Sequence, residues 1–186
     1  VTGKRMDAIR VVMNGAGAAG LAVARMLLKA GVQDLTVVDR QGAIFAGREG
    51  LNEEKKILAE MTNLTHQSGA LSDVVRGADV LIGVSSAGAF SSEIIQSMAP
   101  EPIIFALANP TPEILPEEAH KAGAALMATG RSDFPNQINN ALCYPGLFRG
   151  MLDQNIKKVT DEIKIRAAQA IASMIPQPTA ERFIPS

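Results

Sequence analysis

Three glycines at the spacing GxGxxG, in Gly15-Ala16-Gly17-Ala18-Ala19-Gly20, follow directly on the apolar run Ile9-Arg10-Val11-Val12-Met13-Asn14. Glycine in those places suits a bound pyrophosphate. The first allows a tight turn, the second lets the backbone approach the anion, and the third lets the next helix pack close to the strand. The N–H groups and dipole at the start of that helix then face the phosphate oxygens. Asp39 closes the next apolar run, Leu35-Thr36-Val37-Val38, about 20 residues past the last glycine, where a carboxylate accepts the hydroxyls of an adenosine ribose. Such a carboxylate repels the 2′-phosphate of NADP and so favours NAD. Arg40 beside it could instead bind that phosphate, stack on the adenine, or lie in solvent. The bland alternative for the glycines is a turn needed only for packing.

Two asparagine sites come next, Asn109 after Ala106-Leu107-Ala108, and Asn140 in Pro135-Asn136-Gln137-Ile138-Asn139-Asn140. A carboxamide both donates and accepts, so it can orient a nicotinamide amide, a hydroxyl or a carboxylate without adding charge. Asparagines also make turns and helix caps, and spacing alone does not separate the two uses. Ser85, in the small-residue stretch Gly83-Val84-Ser85-Ser86-Ala87-Gly88, sits where backbone would pass close to a cofactor or would merely turn. His66 and His120 have no neighbouring ligand pattern and read as surface or capping residues. Cys143, inside an apolar run, reads as core packing. Arg131-Ser132-Asp133 suits either an anion or a capping loop, and no Ser-His-Asp or Cys-His set is visible.

The elements that would position these residues alternate along the chain. Apolar runs at 9–14, 35–39, 80–84, 103–107 and 125–128 read as strands, with a weaker one at 63–66. Helical spacing occupies 21–30, 53–61, 71–76, 91–98 and 116–122, and residues 41–52 read as a surface excursion. Two longer helices, 138–152 and 161–174, close the chain. The predicted fold is α/β: a Rossmann-type, doubly wound, mostly parallel sheet with helices on both faces and a helical C-terminal segment. Ligands of such a sheet sit outside the carboxyl ends of its strands.

At 186 residues the chain suits one domain, and 47% hydrophobic residues can fill its core. Eighteen basic against nineteen acidic side chains leave no electrostatic footprint for nucleic acid or an anionic membrane. No apolar run approaches the length of about 18 residues that a membrane span needs. A single cysteine gives no internal disulfide, which fits the cytoplasm. The start at Val1 and the ending Phe183-Ile184-Pro185-Ser186 suggest one domain, residues 1–186, cut at both ends from a longer protein.

Three segments together carry a family resemblance: Val12 to Gly20, Ile103-Ile104-Phe105-Ala106-Leu107-Ala108-Asn109-Pro110-Thr111-Pro112-Glu113, and Thr129-Gly130-Arg131-Ser132-Asp133-Phe134-Pro135 through Asn140. They resemble the NAD-binding domain of bacterial malic enzymes over nearly the whole chain. The last two are the more specific, because other Rossmann domains have no reason to share them. The resemblance implies oxidative decarboxylation of malate to pyruvate and carbon dioxide, with NAD or NADP and a magnesium or manganese ion, by a homodimer or higher homo-oligomer. It places the pyrophosphate on Ala16, Gly17, Ala18 and Ala19, flanked by Gly15 and Gly20, and the nicotinamide and malate near Asn109 and Asn140. It puts the catalytic tyrosine and lysine and the acidic metal ligands in sequence before Val1, so no catalytic residue and no metal ligand is expected here. Tyr144 is expected to pack near the site. The rival readings are an oxaloacetate decarboxylase of the same family, the dinucleotide domain of an amino-acid dehydrogenase, which leaves Asn109 and Asn140 unexplained, and a redox-sensing domain.

Overall fold

The computed structural model describes residues 1–185. Its centre is a six-stranded sheet made of β1 (Arg10–Asn14), β2 (Asp34–Asp39), β3 (Gly42–Ala43), β4 (Val80–Gly83), β5 (Ile103–Ala106) and β6 (Leu126–Thr129). The spatial order is β3-β2-β1-β4-β5-β6, with every pair parallel except the short antiparallel β2–β3 hairpin. The doubly wound prediction therefore holds. From β1 the chain winds outward to β2, then returns to lay β4 on the other side of β1, and this reversal opens a crevice at the carboxyl ends of the strands.

The sheet is buried on both faces, which is why its strands read as nearly unbroken apolar runs. Alternate residues go to opposite layers. Val12, Leu81, Ile104 and Met127 join one core with Val74, Ile95 and Ala119. Those three come from α3 (Leu71–Val74), α4 (Ser92–Gln96) and α5 (Pro116–Lys121). Val11, Met13, Leu35, Val37 and Ile82 join the other core with Leu21 and Ala24 of α1 (Ala18–Lys29) and Leu58 of α2 (Glu53–Ala59). Each fully buried Val, Leu or Ile contributes about 1.5–3 kcal/mol toward the frame behind the crevice.

Helix ends follow local chemistry. α1 begins at Ala18, three residues before the predicted start, because alanine extends a helix readily into the glycine turn. It ends where Gly31 takes a φ of +107°. Asn52 caps α2 by accepting from the Lys55 N–H at 2.9 Å, and Pro116 occupies the first turn of α5.

Four expectations need correction. Residues 63–66 form no strand: Asn63 and His66 have φ of +49° and +54°, and the Asn63 side chain donates to the Ile44 and Gln67 carbonyls while accepting from the Gln67 N–H. The excursion at 41–52 contains β3, too short to show any alternation. The helix expected over 138–152 is divided. Gln137 bridges Thr129 and the Ile138 N–H donates to the Thr129 carbonyl, which keeps the chain extended beside β6. Asn139 then caps a 3-10 turn, Asn140–Leu142, before α6 (Tyr144–Asp153) and α7 (Asp161–Ser173). Cys143 lies half-buried at that junction rather than in the core, and Tyr144 is 48% exposed, edge-on to Phe148 of its own helix.

Candidate cofactor site

The strand register brings the predicted residues to one edge. Asn14 pairs with Gly83, Gly83 with Ala106, and Ala106 with Thr129, so the loops that follow all leave the sheet on the same side. The first is the glycine turn. Gly15 has a φ of +122°, and a Cβ there would fall 2.6 Å from the Val84 carbonyl oxygen. A Cβ on Gly20 would fall 1.9 Å from the Gly15 carbonyl oxygen, so α1 reaches its strand only through a residue without a side chain. Gly17 differs, with nothing within 4 Å of its missing Cβ. Gly15 and Gly20 are thus required by packing, whereas Gly17 faces open space and leaves the start of α1 approachable. No side chain caps α1, so its first N–H groups stay available.

This turn borders a cleft of about 610 Å³ whose walls also include Asn14, Asp39, Arg40, Gln41, Gly50, Lys55, Ser85 and Ser86. The cleft gathers Gly15, Ala16, Gly17, Asp39, Arg40 and Ser85 of the predicted set, while Ala18, Ala19 and Gly20 form the adjoining helix start. Asn109 and Asn140 lie outside its lining, Asn109 on the loop after β5 and Asn140 at the start of the 3-10 turn that follows the Gln137 bridge to Thr129. Asn109 is exposed and crosses in front of Gly130, whose absent Cβ would meet its Nδ2 at 3.3 Å. Asn140 is exposed, and its side chain makes no hydrogen bond among the described residues. Its neighbour Asn139 is the cap, accepting from the Ala141 N–H at 2.9 Å. Capping thus falls to Asn139, and the Asn140 carboxamide is left free.

Asp39 is not a free acceptor. Its Oδ1 accepts from the Gln41 N–H at 3.0 Å and Arg48 Nη1 at 3.0 Å, and its Oδ2 accepts from Arg48 Nη2 and Lys55 Nζ, each at 2.6 Å. Burial pushes the carboxyl pKa up, but the bonds from Arg48, Lys55 and the Gln41 amide outweigh burial and hold it well below the ordinary carboxylate range. Arg48 is further fixed by the Gly42 and Ala43 carbonyls, while Lys55 lines the cleft and Arg40 is exposed. One carboxylate among three cations leaves this end of the cleft positive. The repulsion of a 2′-phosphate expected from Asp39 alone is therefore offset.

Sequence reasoning missed Asn14, Arg48 and Lys55. Asn14 ended a run read only as a strand, yet its Nδ2 donates to Ser85 Oγ at 2.9 Å across the β1–β4 crevice. Arg48 and Lys55 sat in a surface excursion and on a helix where charge is ordinary, and nothing local marked them. Arg131, an anion candidate, spends its guanidinium on Asp133 and the Pro110 carbonyl, and no helix starts at Ser132 or Asp133 for them to cap. His120 bonds the Ala124 carbonyl just beyond α5, as a capping residue does, and His66 lies on the surface beside Phe45. Among the described residues no three of His, Cys, Asp or Glu gather at a spacing that could hold a metal ion. No helix among them is long and apolar enough to cross a membrane.

A glycine turn between a parallel strand and an uncapped helix, with an acid at the end of the second strand, defines a dinucleotide-binding α/β domain. The chain belongs to the malic enzyme NAD-binding domain family, whose model matches residues 1–186. It is 51% identical over 189 residues to a bifunctional malic/malolactic enzyme of Bacillus subtilis, covering 100% of this chain and 46% of that protein. It is 49% identical to an NAD-dependent malic enzyme of Geobacillus stearothermophilus, covering 94% of this chain and 36% of the relative. The crystal structure of a malic enzyme from Pyrococcus horikoshii superposes with a TM-score of 0.95 at 42% identity, over 100% of this chain and 45% of that one. The chain thus spans less than half the length of these relatives.

Proposed function

We propose that residues 1–186 are the cofactor-holding domain of an enzyme that oxidises malate and decarboxylates it to pyruvate and carbon dioxide. The observation that carries this reading is the open face at Gly17 beside the uncapped start of α1, on the same edge as Asn109 and Asn140. In this reading Ala16, Gly17, Ala18 and Ala19, flanked by Gly15 and Gly20, cradle the pyrophosphate, whose charge meets free N–H groups and the helix dipole. Arg40 and Lys55 meet the adenosine ribose at the end of the cleft where Asp39 holds Lys55 in place, and Ser85 lines the wall between the two ends. When bound, NAD or NADP supplies the acceptor for the hydride that leaves malate. Asn109 and Asn140 orient the nicotinamide amide and the malate through carboxamides that add no charge to a site where charge must move.

The family resemblance implies a magnesium or manganese ion, but the described residues offer no ligand cluster for one. The acid, base and metal ligands belong, on this reading, to sequence outside these residues. We further propose a cytoplasmic homodimer or larger homo-oligomer. A lone cysteine supports the compartment, and apolar surface left open at Tyr144, Phe148, Leu152 and Met174 on and beside the last two helices supports association.

The test is turnover by the complete protein. Malate with NAD or NADP and magnesium should yield pyruvate, carbon dioxide and reduced cofactor in equal amounts. Carbon dioxide from oxaloacetate without any cofactor reduction by malate would support the decarboxylase rival instead.

A further inference from the structure

Glu113 is the one acidic side chain that is wholly buried among the described residues, and it forms no ion pair there. Its Oε1 accepts from the Ser85 N–H at 2.9 Å and, more loosely, from Ser85 Oγ at 3.4 Å. Its Oε2 accepts from the Ala108 N–H at 3.0 Å. Those donors stand on the loops that leave β4 and β5, and Ala108 immediately precedes Asn109. A buried carboxyl group without a cation is costly, and here its oxygens are met by two N–H donors and, more loosely, by the Ser85 hydroxyl. The room for it is made by Gly83, where a Cβ would lie 2.5 Å from Oε1. The main chain repeats the tie, with the Gly88 and Phe90 N–H groups donating to the Pro112 and Glu113 carbonyls. Asn14 completes the run through Ser85 Oγ.

We infer that Glu113 is a positioning residue that sets the distance between the cofactor wall at Ser85 and the carboxamide of Asn109. The inference rests on the proposed roles of those two residues. An apolar side chain could fill the same space, but it would leave the Ser85 and Ala108 N–H groups, on the adjacent loops after β4 and β5, without the acceptor they share. Glutamine has the right shape and the wrong donors: its oxygen can serve one loop, while its NH2 meets the N–H of the other. A space-filling role tolerates Glu113→Gln; a two-sided acceptor does not.

The experiment uses the complete protein with Glu113→Gln, Asn109→Ala and the double variant. Glu113→Gln should lower kcat/KM for malate about tenfold to hundredfold, as a misplaced orienting group does. In the Asn109→Ala background the further loss should be under about twofold, because the group being positioned is gone. Equal losses in both backgrounds would overturn the inference, as would unchanged kinetics with only a lowered Tm. Amide exchange supplies a readout independent of turnover: the Ser85 and Ala108 N–H groups should be protected in the parent, and at least one should lose protection in Glu113→Gln. Protection unchanged at both overturns the inference even if the protein proves to act on another substrate. A parent that binds no NAD yet shows the exchange effect would instead remove the functional reading and leave the clamp. Where Glu113→Gln folds poorly, Gly83→Ala displaces the carboxylate without touching Ser85 or Asn109, and the same loss of protection is expected.

Discussion

Arg48 holds Asp39 with both terminal nitrogens, Nη1 to Oδ1 at 3.0 Å and Nη2 to Oδ2 at 2.6 Å, in the fork geometry that only a guanidinium provides. The acid at the end of β2 is thus held by the protein's own cations at the wall of the cleft. Lys55 reaches the same Oδ2 from α2 and keeps donors to spare at the cleft wall.

Cofactor preference should therefore follow the balance of this cluster. Asp39→Ser frees Arg48 and Lys55 and should move the preference of the complete protein toward NADP. Lys55→Ala should weaken NADP about tenfold more than NAD, the scale of one charge-assisted hydrogen bond to phosphate. The ratio of kcat/KM for the two cofactors checks both. An unchanged ratio in Lys55→Ala would mean that Arg40 alone faces the 2′ position.

Asp39 also ties folding to pH. Its folded carboxyl has a depressed pKa, so its contribution is fully present above the unfolded value near 4 and is lost as pH falls toward the folded value. Asp79, which burial pushes up but the Arg10 N–H and Lys4 pull down further, adds to the same window. Urea midpoints of the parent should fall below about pH 4, and Asp39→Asn should be less stable at neutral pH but fall less steeply. Parallel pH curves for the two proteins would show that Asp39 does not carry the linkage.

The glycines should separate folding from binding. Gly20→Ala drives a methyl into the Gly15 carbonyl and should cost about 2 kcal/mol or more of stability. Gly17→Asp meets only open space, so its Tm should stay near the parent's while its carboxylate repels a pyrophosphate. Comparable destabilisation by both would mean that the two glycines share a packing role.

The Asn140 side chain makes no hydrogen bond among the described residues, so Asn140→Ala should leave stability within about 0.5 kcal/mol. In the complete protein it should lower the malate-dependent rate roughly thirtyfold to thousandfold, the cost of about 2–4 kcal/mol of lost transition-state binding, and change NAD affinity far less. An equal loss of NAD binding would make it a cofactor residue only.

The fold was legible because parallel strands buried on both faces write themselves as apolar runs, and Val11, Val12 and Met13 show both layers in consecutive residues. The glycine turn was legible because Gly15 and Gly20 each meet a separate steric demand, while Gly17 keeps the start of α1 open. Residues 63–66 misled because an apolar leucine between turn formers imitates a strand, and only the Asn63 side-chain bonds reveal the turn. Helix 138–152 misled because the pull of Thr129 on Ile138 is a tertiary contact with no local signature. Arg48, Lys55 and Glu113 stayed hidden for the same reason: charge marks them, but only folding supplies the carboxylate or the N–H groups they meet.

Calorimetric titration of this chain with NAD, beside Gly17→Asp, tests the central claim most directly. The parent should bind one NAD per chain with modest affinity, since the proposed second wall of the site lies on other sequence, and Gly17→Asp should show no heat of binding at an unchanged Tm. NAD binding as tight in Gly17→Asp as in the parent would contradict the account.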